Sequence, residues 1–394
     1  MSIETMTPEV IEPSLWERLE EEEKSKGRED IGEVSLTYWQ DVWRRLRRNK
    51  IAILGLVIIV ALIISAVLGP YFIKHNYYEQ DLSFVNIPPA YEIYDIDGQY
   101  AFMNKNMNLY EADKDGQLVK LIRPKKEDMI QKRLVFDVNG KAATIDYKSR
   151  PPRLMNANGD VLSPVKRVFS REYVLGTDTL GRDYLARILY GARISLLVAF
   201  IAASVNLLIG MLYGGISGYV GGTIDNLMMR LVDTIDTIPL TLYVILIMVV
   251  LDSGFLSIVV ALGLVYWVNM ARIVRGQILS LKEQEFILAA RTIGVSPWGI
   301  LTRHLLPNAM GPIIVTVTML IPNAIFIEAF LSFIGLGVAA PMASWGTLCN
   351  EALEAIRSFP YQIFLPSLAI CITMMAFNFL GDGLRDALDP RLRK

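Results

Sequence analysis

The 394-residue chain is 53% hydrophobic and 20% charged, with a formal net charge of −1 at pH 7. Its mean hydropathy is +0.36. That balance gives no reason to expect a nucleic-acid partner, but it does not by itself separate a membrane protein from a large soluble one. The distribution of the apolar residues does.

Residues 1–38 are acidic, with glutamates at 20–23, and lack the basic-then-apolar order of an export signal. A solvated cytoplasmic tail is expected there. Residues 39–75 read as an interfacial helix feeding a first transmembrane helix. Trp39, Trp43 and Leu46 interleave with Arg44, Arg45, Arg47 and Arg48, and residues 51–73 then run without a charge. About 20 such residues span a bilayer core as a helix, and a soluble helix keeps a polar stripe that is missing here.

Residues 76–170 form a polar insertion. Pro88-Pro89, Asp97-Gly98, Asp115-Gly116, Asn139-Gly140 and Asn158-Gly159 mark turns, and 118–122, 133–138 and 142–147 alternate as strands do. A small β-rich extracytoplasmic domain is expected. Five more apolar stretches follow at 194–213, 235–251, 255–270, 312–338 and 363–380, giving six spans. The third starts beside Asp233 and Asp236, read as interfacial carboxylates just outside the hydrocarbon.

Basic residues cluster at 44–50, at 272–303 and at the C-terminal Arg391, Arg393 and Lys394. With six spans all three clusters share one side, so the positive-inside rule makes that side, and both termini, cytoplasmic. The insertion also carries many Lys and Arg, but long translocated segments are largely exempt from that rule.

Chemical motifs are mostly absent. No G-x-x-x-x-G-K-[ST] loop is present to hold ATP. His75 and His304 are far apart and no zinc spacing exists. Cys349 and Cys371 fall in an outer loop and in the last span, which supports neither a disulfide nor a metal site. No catalytic residue, cofactor or metal is expected in this chain.

Residues 282–308 read as two short cytoplasmic helices at a bend. Gly294 ends the first, Ser296 caps the second and Pro297 is preset for its first turn. Leu306-Pro307-Asn308 would turn the chain into the fifth span. Small Ala289 and Ala290 would let a partner backbone come close, while Glu285, Arg291 and Arg303 offer charge. This stretch resembles the EAA loop of binding-protein-dependent ABC importer permeases: EAA, three residues, Gly, nine residues, then Ile-x-Leu-Pro. Ala289, Ala290, Gly294, Leu306 and Pro307 match in register. Leu288 stands where the family's Glu usually is, which removes one polar contact that Glu285 would have to replace, and His304 stands where Ile is.

Four further stretches resemble the C-type permeases of dipeptide and oligopeptide importers. They are 175–196 (LGTDTLGRD, then YGARISL), 228–239 (MMR with Asp233 and Pro239), 330–346 (FLSFIGLG, Pro341 and SWG) and 381–391 (GDGLRDALDPR). The resemblance covers about residues 175–391 and, more loosely, the basic leader and first span. It implies an all-α membrane protein with six transmembrane helices of the type I ABC importer permease fold. The transmembrane domain would occupy 188–388, with the coupling loop at 276–308. It further implies a second permease subunit, two ATPase subunits that use ATP and Mg, a surrounding lipid bilayer and an extracytoplasmic binding protein. Peptides are the expected cargo; related permeases also carry nickel complexes, glutathione or oligosaccharides.

The large insertion departs from the family's shorter loop, so its role does not carry over. It either decorates the transporter or offers the binding protein a docking surface. Glu328 is the one carboxylate well inside an apolar span, so it should face the bundle interior or water. It is assigned with Gly335 and Gly337 to the translocation path; the alternative is a hydrogen-bonded packing residue, with glycines that only let helices pack. Two rivals come from other classes. One is an ion-coupled carrier using Glu328, Asp233 and Asp236, which would not need the coupling loop. The other is a membrane sensor, which would need fewer spans.

Overall fold

The computed structural model describes residues 37–388. The acidic tail therefore lies almost wholly outside the described residues, as do Arg391, Arg393 and Lys394. The chain opens with α1 (Tyr38–Arg48), whose Val42 and Leu46 are buried while Trp39 and Trp43 stay exposed. Asn49 ends it and starts α2 (Lys50–Leu68), its side chain accepting from the amides of Ile51 and Ala52. A 3₁₀ turn carries this apolar span to Tyr71.

Nine strands follow: β1 (Ala90–Ile96), β2 (Gln99–Met103), β3 (Leu109–Ala112), β4 (Leu118–Ile122), β5 (Lys126–Asp128), β6 (Arg133–Val138), β7 (Lys141–Asp146), β8 (Arg153–Met155) and β9 (Pro164–Phe169). They pair antiparallel in two sheets, β4-β3-β2-β1-β9 and β5-β6-β7-β8. Asp97-Gly98 and Asn139-Gly140 close two-residue hairpins with positive φ at both positions, the geometry such pairs favour. The first sheet buries both faces. Ile96, Ala101 and Leu109 meet Phe136, Val138 and Ile145 of the second sheet. Tyr91, Ile93, Phe102 and Tyr110 pack on the other side with Ile87 and Phe84. The β-rich insertion expected from the turn signals is thus a two-sheet module.

The remaining helices are α3 (Tyr184–Val220), α4 (Gly222–Asp236), α5 (Leu240–Leu251), α6 (Phe255–Leu281, interrupted at Tyr266), α7 (Glu285–Thr292), α8 (Pro297–Phe333), α9 (Trp345–Glu351) and α10 (Tyr361–Leu388). Five helical segments are long and apolar enough to cross a membrane, or six if α4 and α5 count together. The third span expected at 235–251 forms as a bent pair of helices rather than as one helix. Asp236 ends α4, Pro239 cannot extend a helix, and α5 leaves at 80° to α4. At 1.5 Å per residue α5 rises only about 18 Å, short of a core of about 30 Å.

The chain also differs from expectation at 306–308, where a turn into the fifth span was expected. No turn occurs there: α8 is continuous from Pro297, with residues Ile300–Leu305 widened into a π segment and the Leu306 amide bonded to the Leu301 carbonyl. Pro307 lacks a donor and its ring crowds the carbonyl four residues back, and the wider turn accommodates both.

Helix packing rests on small residues. Gly210, Gly214 and Gly218 lie on one face of α3, where an added Cβ would meet Met270, the Ala271 carbonyl at 2.2 Å and the Arg275 carbonyl of α6. No side chain fits there, and such close backbones are how helices gain contact in lipid.

Candidate coupling and junction sites

At one end of the bundle α7 and the start of α8 make an elbow. Ile287 and Ala290, three apart, are buried with Val274, Ile278, Ile300 and Leu305. Helical spacing then forces their neighbours outward. Phe286, Leu288, Ile293 and Trp298 are all exposed, Ile293 by 79%. Glu285, Ala289, Ser296, Pro297, Arg303 and Pro307 are exposed as well, whereas Leu306 is buried. Of the two alanines only Ala289 therefore faces outward; Ala290 belongs to the core.

The corner itself is Gly294, at φ +83 with nothing within 4 Å of an added Cβ. Its amide donates to the Arg291 carbonyl and that of Val295 to Ala290, which closes α7. The Ser296 side chain then accepts from the Gly299 amide at 3.2 Å and opens α8. Arg291 lies over the Tyr219 ring at 5.9 Å. Behind the elbow, Arg275 grips Asp225 with two bonds of 2.6 Å, and Lys282 donates to the Gly218 carbonyl at 3.1 Å. The elbow is thus packed on α6 and α3, with α6 in turn pinned to α4, while its outer rim stays bare.

Asp233 and Asp236 lie nearby, half exposed and both paired with Arg272, at 3.0 and 2.7 Å. Among the described residues no cluster of His, Cys, Asp and Glu could hold a metal. The ion-coupled rival loses two of its carboxylates to that arginine.

Glu328 is fully buried in α8. Its two oxygens accept from the hydroxyls of Ser195 on α3 and Ser332, each at 2.8 Å. The Trp345 amide donates to Ser195 at 3.4 Å, so α3, α8 and α9 meet at this carboxylate. Gly335, at φ +88, ends α8 on the surface, and Gly337 folds back against Ser332.

The opposite end holds a charged junction that the sequence does not advertise. Asp178 accepts from Arg182 Nε at 2.7 Å and from Arg187 at 2.8 Å. Both arginines also reach Glu351 of α9, Arg182 at 2.8 Å and Arg187 through both of its terminal nitrogens. Asp178, Arg182 and Arg187 are all buried. Next to them Thr177 accepts from the Ile87 amide at 2.8 Å, while Gln362 of α10 donates to Asn86 and to the Thr177 carbonyl. The LGTDTLGRD segment and the α9 helix that SWG opens therefore meet here through Glu351, and Thr177 and Gln362 fasten the start of the β module to the spans.

A family model described as "Binding-protein-dependent transport system inner membrane component" matches residues 206–394, and one for the "N-terminal TM domain of oligopeptide transport permease C" matches 37–89. The oligopeptide transport system permease protein of Bacillus subtilis is 40% identical over 366 residues, 93% of this chain and 94% of that one. This chain belongs to that family of permeases. The dipeptide transport system permease of the same organism is 38% identical over 383 residues, 97% of this chain and 94% of its own. A glutathione transport system permease of Pectobacterium atrosepticum shares 42% over 224 residues, 57% of this chain and 74% of that one. The permease is a multi-pass membrane subunit of a binding-protein-dependent ABC importer, with the type I fold and a β-rich module between its first two spans. The alignments with both Bacillus relatives are too long to leave that module out, so it does not set this chain apart from them as the sequence reading expected.

Proposed function

We propose that this permease forms half of the pathway of an ATP-driven peptide importer and is driven through the α7–α8 elbow. The observation that carries the reading is the bare apolar rim of Phe286, Leu288, Ile293 and Trp298 around Gly294. It sits on a helix pair whose spacing matches the family's coupling loop. The peptide cargo is favoured by the two relatives that align over nearly the whole chain. The glutathione relative aligns over a shorter part.

In this reading the termini and the elbow are cytoplasmic and the β module is outside. Two ATPase subunits bind ATP and Mg, and this chain contributes no catalytic group. A second permease completes the pathway. Closure of the ATPases draws the elbows together and opens the path outward, and hydrolysis resets it. ATP shifts the equilibrium only as far as it binds one state better than the other.

The test is co-purification in mild detergent followed by reconstitution. Wild type should bring down two ATPase subunits and a second permease, and show ATPase activity stimulated by the binding protein. Gly294→Asp should insert normally yet lose the stimulated activity. Wild-type stimulation in that variant would sink the elbow's role, and a chain that purifies without any ATPase would sink the importer reading.

A further inference from the structure

The β5–β6 hairpin ends in a four-residue loop that holds two large apolar side chains in water. Met129 is 76% exposed, and Ile130, at 96%, is the most exposed large apolar side chain among the described residues. The loop is nonetheless built. The Asp128 carboxylate accepts from the Ile130 amide at 3.0 Å and the Gln131 amide at 2.9 Å, and Lys132 holds φ +54. A loop tied this way presents its tip at little further entropic cost, because the backbone is already fixed.

The surroundings of the tip are cationic. Residues 123–133 carry Arg123, Lys125, Lys126, Lys132 and Arg133 against Glu127 and Asp128. All five cations are exposed, and only Lys125 has an ion-pair partner among the described residues, Asp137 at 3.6 Å. An apolar point inside a charged collar is the usual anatomy of a binding hot spot: a desolvated centre with polar surroundings.

Position decides the kind of partner. The spans hold the module through Asn86 and Ile87, on the face of the first sheet that carries Tyr91 and Phe102. The second sheet packs on the other face, against Ile96 and Leu109. The hairpin therefore belongs to the sheet on the far side of the first sheet from the contacts that hold the module to the spans.

We propose that the Met129–Ile130 tip docks the soluble binding protein, seating its two side chains in an apolar pocket rimmed by carboxylates on that protein. This rests on the importer reading and assigns the inserted module a role in capture. The collar steers the encounter, so it governs association and its salt dependence, while the apolar tip governs dissociation.

The test uses the complete transporter in nanodiscs with the binding protein that co-purifies with it. Ile130→Asp should raise the half-saturating binding-protein concentration on the order of tenfold, with basal ATPase and the stimulated plateau unchanged. Ile130→Leu should restore it. In the double variant Lys126→Glu, Arg133→Glu, half-saturation should rise at low salt and lose most of its dependence on ionic strength. A photocrosslinker at position 130 should capture the binding protein.

Unchanged half-saturation in Ile130→Asp would overturn the proposal. So would quenching, by brominated lipid, of a fluorophore placed at position 130, because the tip would then lie in the membrane. If the binding protein fails to stimulate even the wild-type transporter, it is the importer reading that falls.

Discussion

The two ends of the bundle use the same residue types in opposite ways. At the junction end Asp178, Arg182 and Arg187 are buried, every charge is met, and Trp345 is 1% exposed with its indole bonded to the Ile188 carbonyl. At the elbow end arginines and a tryptophan lie on the surface: Arg303 has no ion-pair partner among the described residues, and Trp298 is 59% exposed. Buried charge is costly to desolvate and tolerable only when paired, so the first arrangement fixes one geometry. A bare apolar rim costs water contact until a partner covers it. One end is built to stay as it is; the other, on the proposed reading, is completed by another subunit.

The sharpest way to break this contrast is at the junction. Arg187→Ala leaves Asp178 buried with a single arginine, and losing one member of a buried charge set costs about 3–5 kcal/mol. The expected result is a large loss of folded protein and a much lower melting temperature in detergent. A melting temperature within a degree or two of wild type would mean that water reaches the site and that the junction is no lock. Trp298→Ala should do the reverse, leaving the melting temperature alone while weakening ATPase-subunit association by about 1–2 kcal/mol, as truncation of an interface aromatic does. Equilibrium binding of the purified ATPase subunits measures it.

Gly294→Ala falls between these two. Its φ of +83 is strained for any L side chain, at roughly 1 kcal/mol, although space for the methyl is open. Stability should drop slightly and stimulated ATPase markedly, because the corner angle between α7 and α8 shifts. Equal proportional losses of both would make the corner merely structural.

The contrast also bears on what the sequence could reveal. Patterns confined to one element came through: the strands at β4 and β6, the turn pairs at 97–98 and 139–140, and the cap at Ser296 all carry their cause within a few residues. The bend between α4 and α5 was hidden because Ile235 to Leu251 scores as one apolar run, although Asp236 and Pro239 mark the break. The π segment before Pro307 leaves no composition signal at all. The Gly210, Gly214 and Gly218 row was visible as G-x-x-x-G spacing but is easily passed over inside an apolar stretch. Glu351 could not have been found, since its partners lie 164 and 169 residues away and only the fold brings them together.

The smallest effect belongs to an exposed counterpart of the buried junction. Lys120 and Glu111 pair at 2.9 Å across β3 and β4, with the lysine 60% exposed. The Lys120 hydrogen bond, helped by Asn139, holds the Glu111 carboxyl below the ordinary carboxylate range. A carboxylate with a lowered folded value stabilises above its unfolded value, and loses that contribution as pH falls through the folded one. Lys120→Ala should therefore cost a few tenths of a kcal/mol near neutral pH, typical of solvated pairs, and that cost should shrink in acid. Hydrogen exchange of the β3–β4 amides in the full chain, at neutral and acidic pH, reads it directly. A cost comparable to that of Arg187→Ala would mean that exposure does not separate the two charge sets, and the distinction drawn between locked and surface charge would fail.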